Sequence, residues 1–236
     1  MRRAVTTSTD RLVPLEGNPY LDAFHRWQAG SATDTRAELL ARYGFAVPDD
    51  RAIQLIAAHA PRGVVEIGAG TGYWARQLHD AGVDVVDVDI APPPSMQNQW
   101  FAGQEPWFPV RRGDHQVAAQ HTERTLLLVW PTRNEDWAAD AAQLHLDAGG
   151  ERLVYVGEPP GGRTGDLRLH AVLDLVGRCV ACAYGVTSVP CTCGVQHRWR
   201  LLDQLPLPSW DDGEDWLYVF CRPPSSSRWR WRPRRR

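Results

Sequence analysis

The chain has 236 residues and a mass of 26.5 kDa, enough for one sizeable core and for one domain or at most two. Apolar residues make up 43% and charged residues 23%, the balance of a globular chain and not of a disordered one. All 26 basic Lys/Arg positions are arginine, which excludes a Schiff-base lysine for pyridoxal phosphate and the phosphate-binding lysine of a P-loop.

The formal charge of −2 hides an asymmetry. Residues 228–236 hold six of the arginines, leaving twenty basic groups against 28 acidic ones in residues 1–227. The body is therefore acidic by eight charges. Nucleic-acid binding would need a basic face on the fold itself, so the body argues against it. Met1-Arg2-Arg3 is followed by no apolar segment, so no secretory signal is read. The longest apolar run, Leu126 to Trp130, is far too short to span a bilayer. Five cysteines without an export signal imply reduced thiols and a cytoplasmic location.

No internal repeat is visible. Residues 1–18 lack periodicity and read as a flexible arm, and residues 19–60 as a helical cover. Within that cover, helices are expected over Tyr20 to Gln28, Thr35 to Tyr43 and Asp49 to His59. The pattern then alternates between strand and helix. Gly63 to Ile67 is a β-branched run, and a helix from Tyr73 to His79 follows. Val83 to Ile90 is a second strand, Trp107 to Arg112 a weaker third, and Leu126 to Trp130 the most apolar, as for a central parallel strand. Thr132-x-x-Glu135 signals the start of a helix that stops at Gly149-Gly150. Leu153 to Val156 is a strand and Gly165 to Val176 a helix, with late strands at Val180 to Val186 and Trp216 to Phe220. Such alternation implies an α/β fold over residues 61–222 with a doubly wound, mostly parallel sheet. Ligands of such sheets sit beyond the carboxyl ends of the strands.

The turn after the first strand reads Glu66-Ile67-Gly68-Ala69-Gly70-Thr71-Gly72-Tyr73. Glycines there permit a tight bend and close approach of a ligand to the backbone. A dinucleotide fingerprint would place its third glycine one residue later, where Tyr73 stands. The E-x-G-x-G-x-G segment resembles the first motif of the class I S-adenosylmethionine-dependent methyltransferases. That resemblance implies a seven-stranded, Rossmann-like methyltransferase fold with S-adenosyl-L-methionine as cofactor. It places Gly68, Ala69, Gly70 and Gly72 against the cofactor's amino-acid part, with Glu66 beneath them. Asp89, nineteen residues beyond Gly70, stands where a carboxylate takes the ribose hydroxyls, with Asp87 as a rival. Asp114, in Arg112-Gly113-Asp114, is similar to the family acid that meets the adenine amino group.

On the acceptor side, family members that methylate amino groups of bases carry Asp/Asn-Pro-Pro-aromatic after the fourth strand. Here that place reads Val129-Trp130-Pro131-Thr132, which disfavours amino-base methylation. Methyl transfer is an in-line displacement, so the enzyme's contribution is largely positioning in a dry pocket. His115, Asp136 and Glu158 are the base or orienting candidates at strand ends; the alternatives for His115 and Glu158 are a surface histidine and a solvated loop carboxylate. Trp130 is the tryptophan best placed to wall the acceptor, and Gln99-Trp100 to Trp107 forms a lid over the cofactor or part of the core. Cys179-x-x-Cys182 and Cys191-x-Cys193 read as free thiols before zinc ligands, because residues three apart on a strand face opposite ways. Residues 223–236 read as a linker and a disordered Arg/Trp tail. The expectation is a methyltransferase acting on oxygen or nitrogen of a small-molecule acceptor, a natural product or metabolite, without membrane attachment. Its rivals are an RNA or DNA methyltransferase using the tail, a non-catalytic cofactor-binding partner, and a nicotinamide oxidoreductase.

Overall fold

The computed structural model describes residues 17–176 and 199–222. Three helices come first: α1 (Pro19–Gln28), α2 (Arg36–Tyr43) and α3 (Asp50–His59). Each starts where local chemistry favours it. Asn18 caps α1 ahead of Pro19, Thr35 and Glu38 form a reciprocal capping box on α2, and Asp49 caps α3. Then come β1 (Val64–Ile67), α4 (Tyr73–Asp80), β2 (Val85–Asp89), β3 (Arg111–Arg112), β4 (Thr125–Val129), α5 (Trp137–Ala148), β5 (Arg152–Gly157), α6 (Leu167–Val172), β6 (Arg200–Pro206) and β7 (Trp216–Cys221). A 3-10 turn, His115–Gln120, lies between β3 and β4.

The seven strands form one sheet in the order β3-β2-β1-β4-β5-β7-β6, with only β7 reversed. This is the doubly wound, mostly parallel seven-stranded sheet expected from the sequence. Alternate side chains of each strand enter opposite layers. Leu126 and Leu128 pack with the alanine face of α5, whereas Leu127 packs with Ile53 and Ile56 of α3 and with Leu78 of α4. A third cluster gathers Tyr20, Phe24, Leu39 and Tyr43 of the first two helices around Tyr73 and Trp210.

Several boundaries differ from the sequence reading. The third strand is only Arg111–Arg112, because Trp107 stacks on Tyr43 at 5.2 Å and belongs to the aromatic cluster. Helix α5 starts at Trp137, beyond the Thr132-x-x-Glu135 signal; Asn134 takes a left-handed φ of 61° and residues 131–136 form a loop instead. Helix α6 ends at Val172, since Asp174 is also left-handed, with a φ of 54°. Strand β6 escaped the sequence reading because it is an exposed edge with no inward alternation. The expected strand Val180 to Val186, four of the cysteines, the arm over residues 1–16 and the tail lie outside the described residues.

Candidate functional site

The strand order turns back between β1 and β4, since β2 lies on one side of β1 and β4 on the other. A cavity of about 1080 Å³ opens there, beyond the carboxyl ends of β1, β2 and β4. This is where a doubly wound sheet binds its ligands. The segments after α2, β2 and β4 close over it.

The floor is the glycine bend between β1 and α4. Gly68 sits at a φ of 76°, and a Cβ there would lie 2.5 Å from the ring of Trp137. Only glycine fits both the backbone and that ring. The bend's amides are largely engaged by the protein. Gly68 and Ala69 donate to the carbonyl of Val88 at 2.8 and 3.0 Å, and Gly72 donates to Ala69 at 2.9 Å. Gly70 donates to Oδ2 of Asp89 at 3.0 Å. At positions 68, 69 and 70 the bend presents a ligand with Cα surface and carbonyl oxygens, not with N–H donors. Gly72, expected against the cofactor, does not line the cavity and faces Asp87, Phe108 and Val110 instead.

Carboxyl groups surround this floor. Glu66 and Asp87 are register partners on β1 and β2, and each is only 1% exposed. Among the described residues, no N–H or hydroxyl of a third residue reaches Oε2 of Glu66 or either oxygen of Asp87. Burial, and then the charge of Asp87, pushes the Glu66 carboxyl well above its ordinary range. Burial pushes Asp87 up to about 7, against a hydrogen bond from Glu66. Burial thus favours the pair keeping a proton between its two carboxyls over full ionisation. Asp89 ends β2 and lines the cavity, where each oxygen accepts one amide, Gly70 at Oδ2 and Ala91 at Oδ1 (2.8 Å). Each oxygen keeps a lone pair for a further donor. Asp87 does not line the cavity, which separates it from its rival. Asp114 lines it too, while capping the 3-10 turn through the amide of Gln116 at 2.9 Å.

The opposite wall is aromatic. Trp130 follows β4 in a left-handed conformation, φ 47°, which is a true outlier for a bulky residue. It is tied down on four sides. Its amide donates to Val156 at 2.8 Å and its indole N–H to Oδ1 of Asp215 at 2.7 Å. Phe45 stacks on its ring at 5.0 Å and 16°, and the Arg163 guanidinium lies 5.5 Å from the ring centroid. Asp215 is 3% exposed, and burial pushes its carboxyl up to about 6 against the Trp130 bond.

Glu158 does not take the place expected of a base. It is absent from the cavity lining, and its Oε1 is held by Arg163 through Nε at 2.9 Å and Nη2 at 2.6 Å. Burial alone would raise this carboxyl, but the Arg163 contacts hold it below its ordinary range. It is an anchor for Arg163, whose Nη1 also reaches Asp212 at 2.9 Å. His115 does line the cavity, at the start of the 3-10 turn. Of the lid segment, residues 97–101 line the cavity and Phe101 lies over Gly70, whereas Trp107 donates to the carbonyl of Arg42 away from it.

Solved structures similar in backbone are methyltransferases. One is magnesium protoporphyrin IX methyltransferase from Synechocystis PCC 6803 with bound SAH, at 14% identity and a TM-score of 0.44 over 86% of this chain and 95% of that one. Another is 1,6-didemethyltoxoflavin-N1-methyltransferase from Burkholderia thailandensis, at 18% identity and 0.39 over 89% and 92%. A third is a 16S rRNA (adenine(1408)-N(1))-methyltransferase mutant from Catenulisporales acidiphilia, at 14% and 0.39 over 75% and 92%. Likeness at this level carries nothing about the reaction. No protein-family model and no curated protein matches the sequence.

Three functional side chains escaped the sequence reading: Phe45, Arg163 and Asp215. Phe45 carried one usable signal, its place just after the Gly44 that ends α2. Asp215 carried none, being 85 residues from Trp130. Among the described residues, no group of three or more His, Cys, Asp or Glu has metal-site geometry, and no helix is long and apolar enough to cross a membrane.

Proposed function

We propose that this protein is an S-adenosyl-L-methionine-dependent methyltransferase acting on oxygen or nitrogen of a small molecule. The observation that carries the reading is the electrical character of the glycine bend. Its amides at residues 68, 69 and 70 are already engaged, the Asp89 carboxylate lines the cavity beside it, and the buried Glu66–Asp87 pair lies beneath. Such a floor repels a pyrophosphate and favours a ligand bearing ammonium and sulfonium charge. That disfavours a nicotinamide dinucleotide.

The residues present fit the cofactor. Glu66 lines the cavity and has a buried oxygen, Oε2, that no N–H or hydroxyl among the described residues reaches, and Asp89 keeps lone pairs for ribose hydroxyls. Asp114 also lines the cavity and, by the resemblance, would be the acid that meets the adenine amino group. When bound, the cofactor supplies an electrophilic methyl group. The chain's own work is to hold both reactants in line and keep water out, which is what the rings of Phe45, Phe101, Trp130 and Trp137 around the cavity favour. With Glu158 held by Arg163 and outside the cavity, His115 and Asp136 are the base candidates that line it and would orient the acceptor or take its proton. The acidic body supports a small-molecule acceptor, a metabolite or natural product, over a nucleic acid, and the cysteine content supports a cytoplasmic setting.

The test is transfer of labelled methyl from S-adenosylmethionine into small-molecule fractions of a bacterial extract, with RNA in parallel. The reading expects label in a small molecule, unaffected by deletion of residues 223–236. Label in RNA alone, lost on that deletion, would replace it with the nucleic-acid reading.

A further inference from the structure

The cavity has room for more than one nucleoside-sized ligand. Drug-sized sites run to roughly 300–1000 Å³, and this one stands at about 1080 Å³. Its two ends differ in chemistry. Beyond Phe101, which lies over Gly70 of the floor, stand Phe45 (5.9 Å from the Phe101 ring), Trp100 and Trp130, with Trp100 set at 90° to Phe45 at 5.5 Å and half exposed. Aromatic walls of this kind pair with flat aromatic rings by stacking or edge contact, a gain beyond simple burial.

Trp130 adds a second observation. A bulky residue in left-handed backbone is strained and persists only where its surroundings over-determine it. Here three distant segments do so: Phe45 after α2, Arg163 before α6, and Asp215 ahead of β7. The Asp215 contact is the directional one. A buried carboxylate has been placed where it fixes the indole ring plane, and its own backbone is fixed by Ser209 and Leu207.

Resting on the methyltransferase reading above, we propose that Phe45, Trp100 and Trp130 form the acceptor subsite. It takes a flat aromatic small molecule, and Asp215 is the positioning residue that sets its Trp130 wall. Asp215 does not touch the acceptor. It acts through the indole N–H, so an oxygen at that point is what matters and a negative charge is not.

The experiment is calorimetric titration of the full chain with 2-naphthol and with its saturated counterpart trans-2-decalol, with and without S-adenosylhomocysteine. The wild type is expected to bind 2-naphthol at least tenfold more tightly than decalol. Trp130→Leu should abolish that preference while leaving S-adenosylhomocysteine affinity within twofold. Asp215→Leu should abolish it as well, and Asp215→Asn, which keeps an oxygen for the indole, should restore it. Should Trp130→Leu not fold, Phe45→Leu reads the same loss. Equal binding of the two probes by the wild type would overturn the aromatic subsite. A preference that survives Asp215→Leu, or is lost equally in Asp215→Asn, would overturn the positioning role. A wild type that ignores S-adenosylhomocysteine would sink the cofactor reading, and the two probes without it would still decide this proposal.

Discussion

The two ends of the cavity are built in opposite ways. The floor comes from residues 66–89, one β-α-β unit whose carboxyl groups and glycines lie close together in the chain. The aromatic wall draws Phe45, Trp130, Arg163 and Asp215 from four separate segments. A local unit can be reused with little change for one fixed ligand. A wall assembled from distant segments can be altered one side chain at a time, which suits a variable acceptor. The difference teaches that cofactor and acceptor functions should separate on mutation.

The largest expected break is at the floor. Gly68→Val places a side chain in left-handed backbone and against Trp137, and calorimetry should find S-adenosylhomocysteine affinity reduced at least a hundredfold. Retained affinity would mean the bend is not the cofactor seat. Asp89→Ala comes next. Losing a charged hydrogen-bond acceptor is worth about 1.5–3 kcal/mol, so affinity should fall by roughly ten- to a hundredfold.

At the wall, Arg163→Ala leaves Glu158 buried without its cation. Chemical denaturation should register a loss of about 1–3 kcal/mol, the cost of a buried acceptor left without its donor, with S-adenosylhomocysteine affinity unchanged. An unchanged denaturation midpoint would contradict the anchoring role. A subtler effect is the pH dependence of stability. The Asp87 carboxyl is raised to about 7 in the folded chain, so the folded state holds its proton more tightly than the unfolded one. That contribution is complete below the ordinary value of 3.8 and is lost as pH rises through about 7. Asp87→Asn should therefore melt with a smaller difference between pH 5 and pH 8 than the wild type does. An equal or larger difference would place the shared proton elsewhere.

The sequence was legible where function is local. The run Glu66 to Tyr73 and the carboxylates at 89 and 114 announced a ligand-binding bend, and all of them but Gly72 line one cavity. The central strands were legible because burial on both faces makes them continuously apolar. Strand β6 was not, because an exposed edge imposes no such pattern. Glu158 looked free because its neighbours Pro159 to Gly162 read as an open loop. Nothing in that run announces that Arg163 folds back on it with two hydrogen bonds to one oxygen. Trp130 was legible as an oddity at the end of β4, but the partners that hold it became visible only in three dimensions.

The most direct measurement is a pair of titrations of the purified wild type, one with S-adenosylhomocysteine and one with NAD. A sulfonium-nucleoside site should give a one-to-one isotherm with the thioether product and no heat of binding with the dinucleotide. Binding of NAD with indifference to S-adenosylhomocysteine would contradict the charge argument at the glycine bend, and the methyltransferase reading with it.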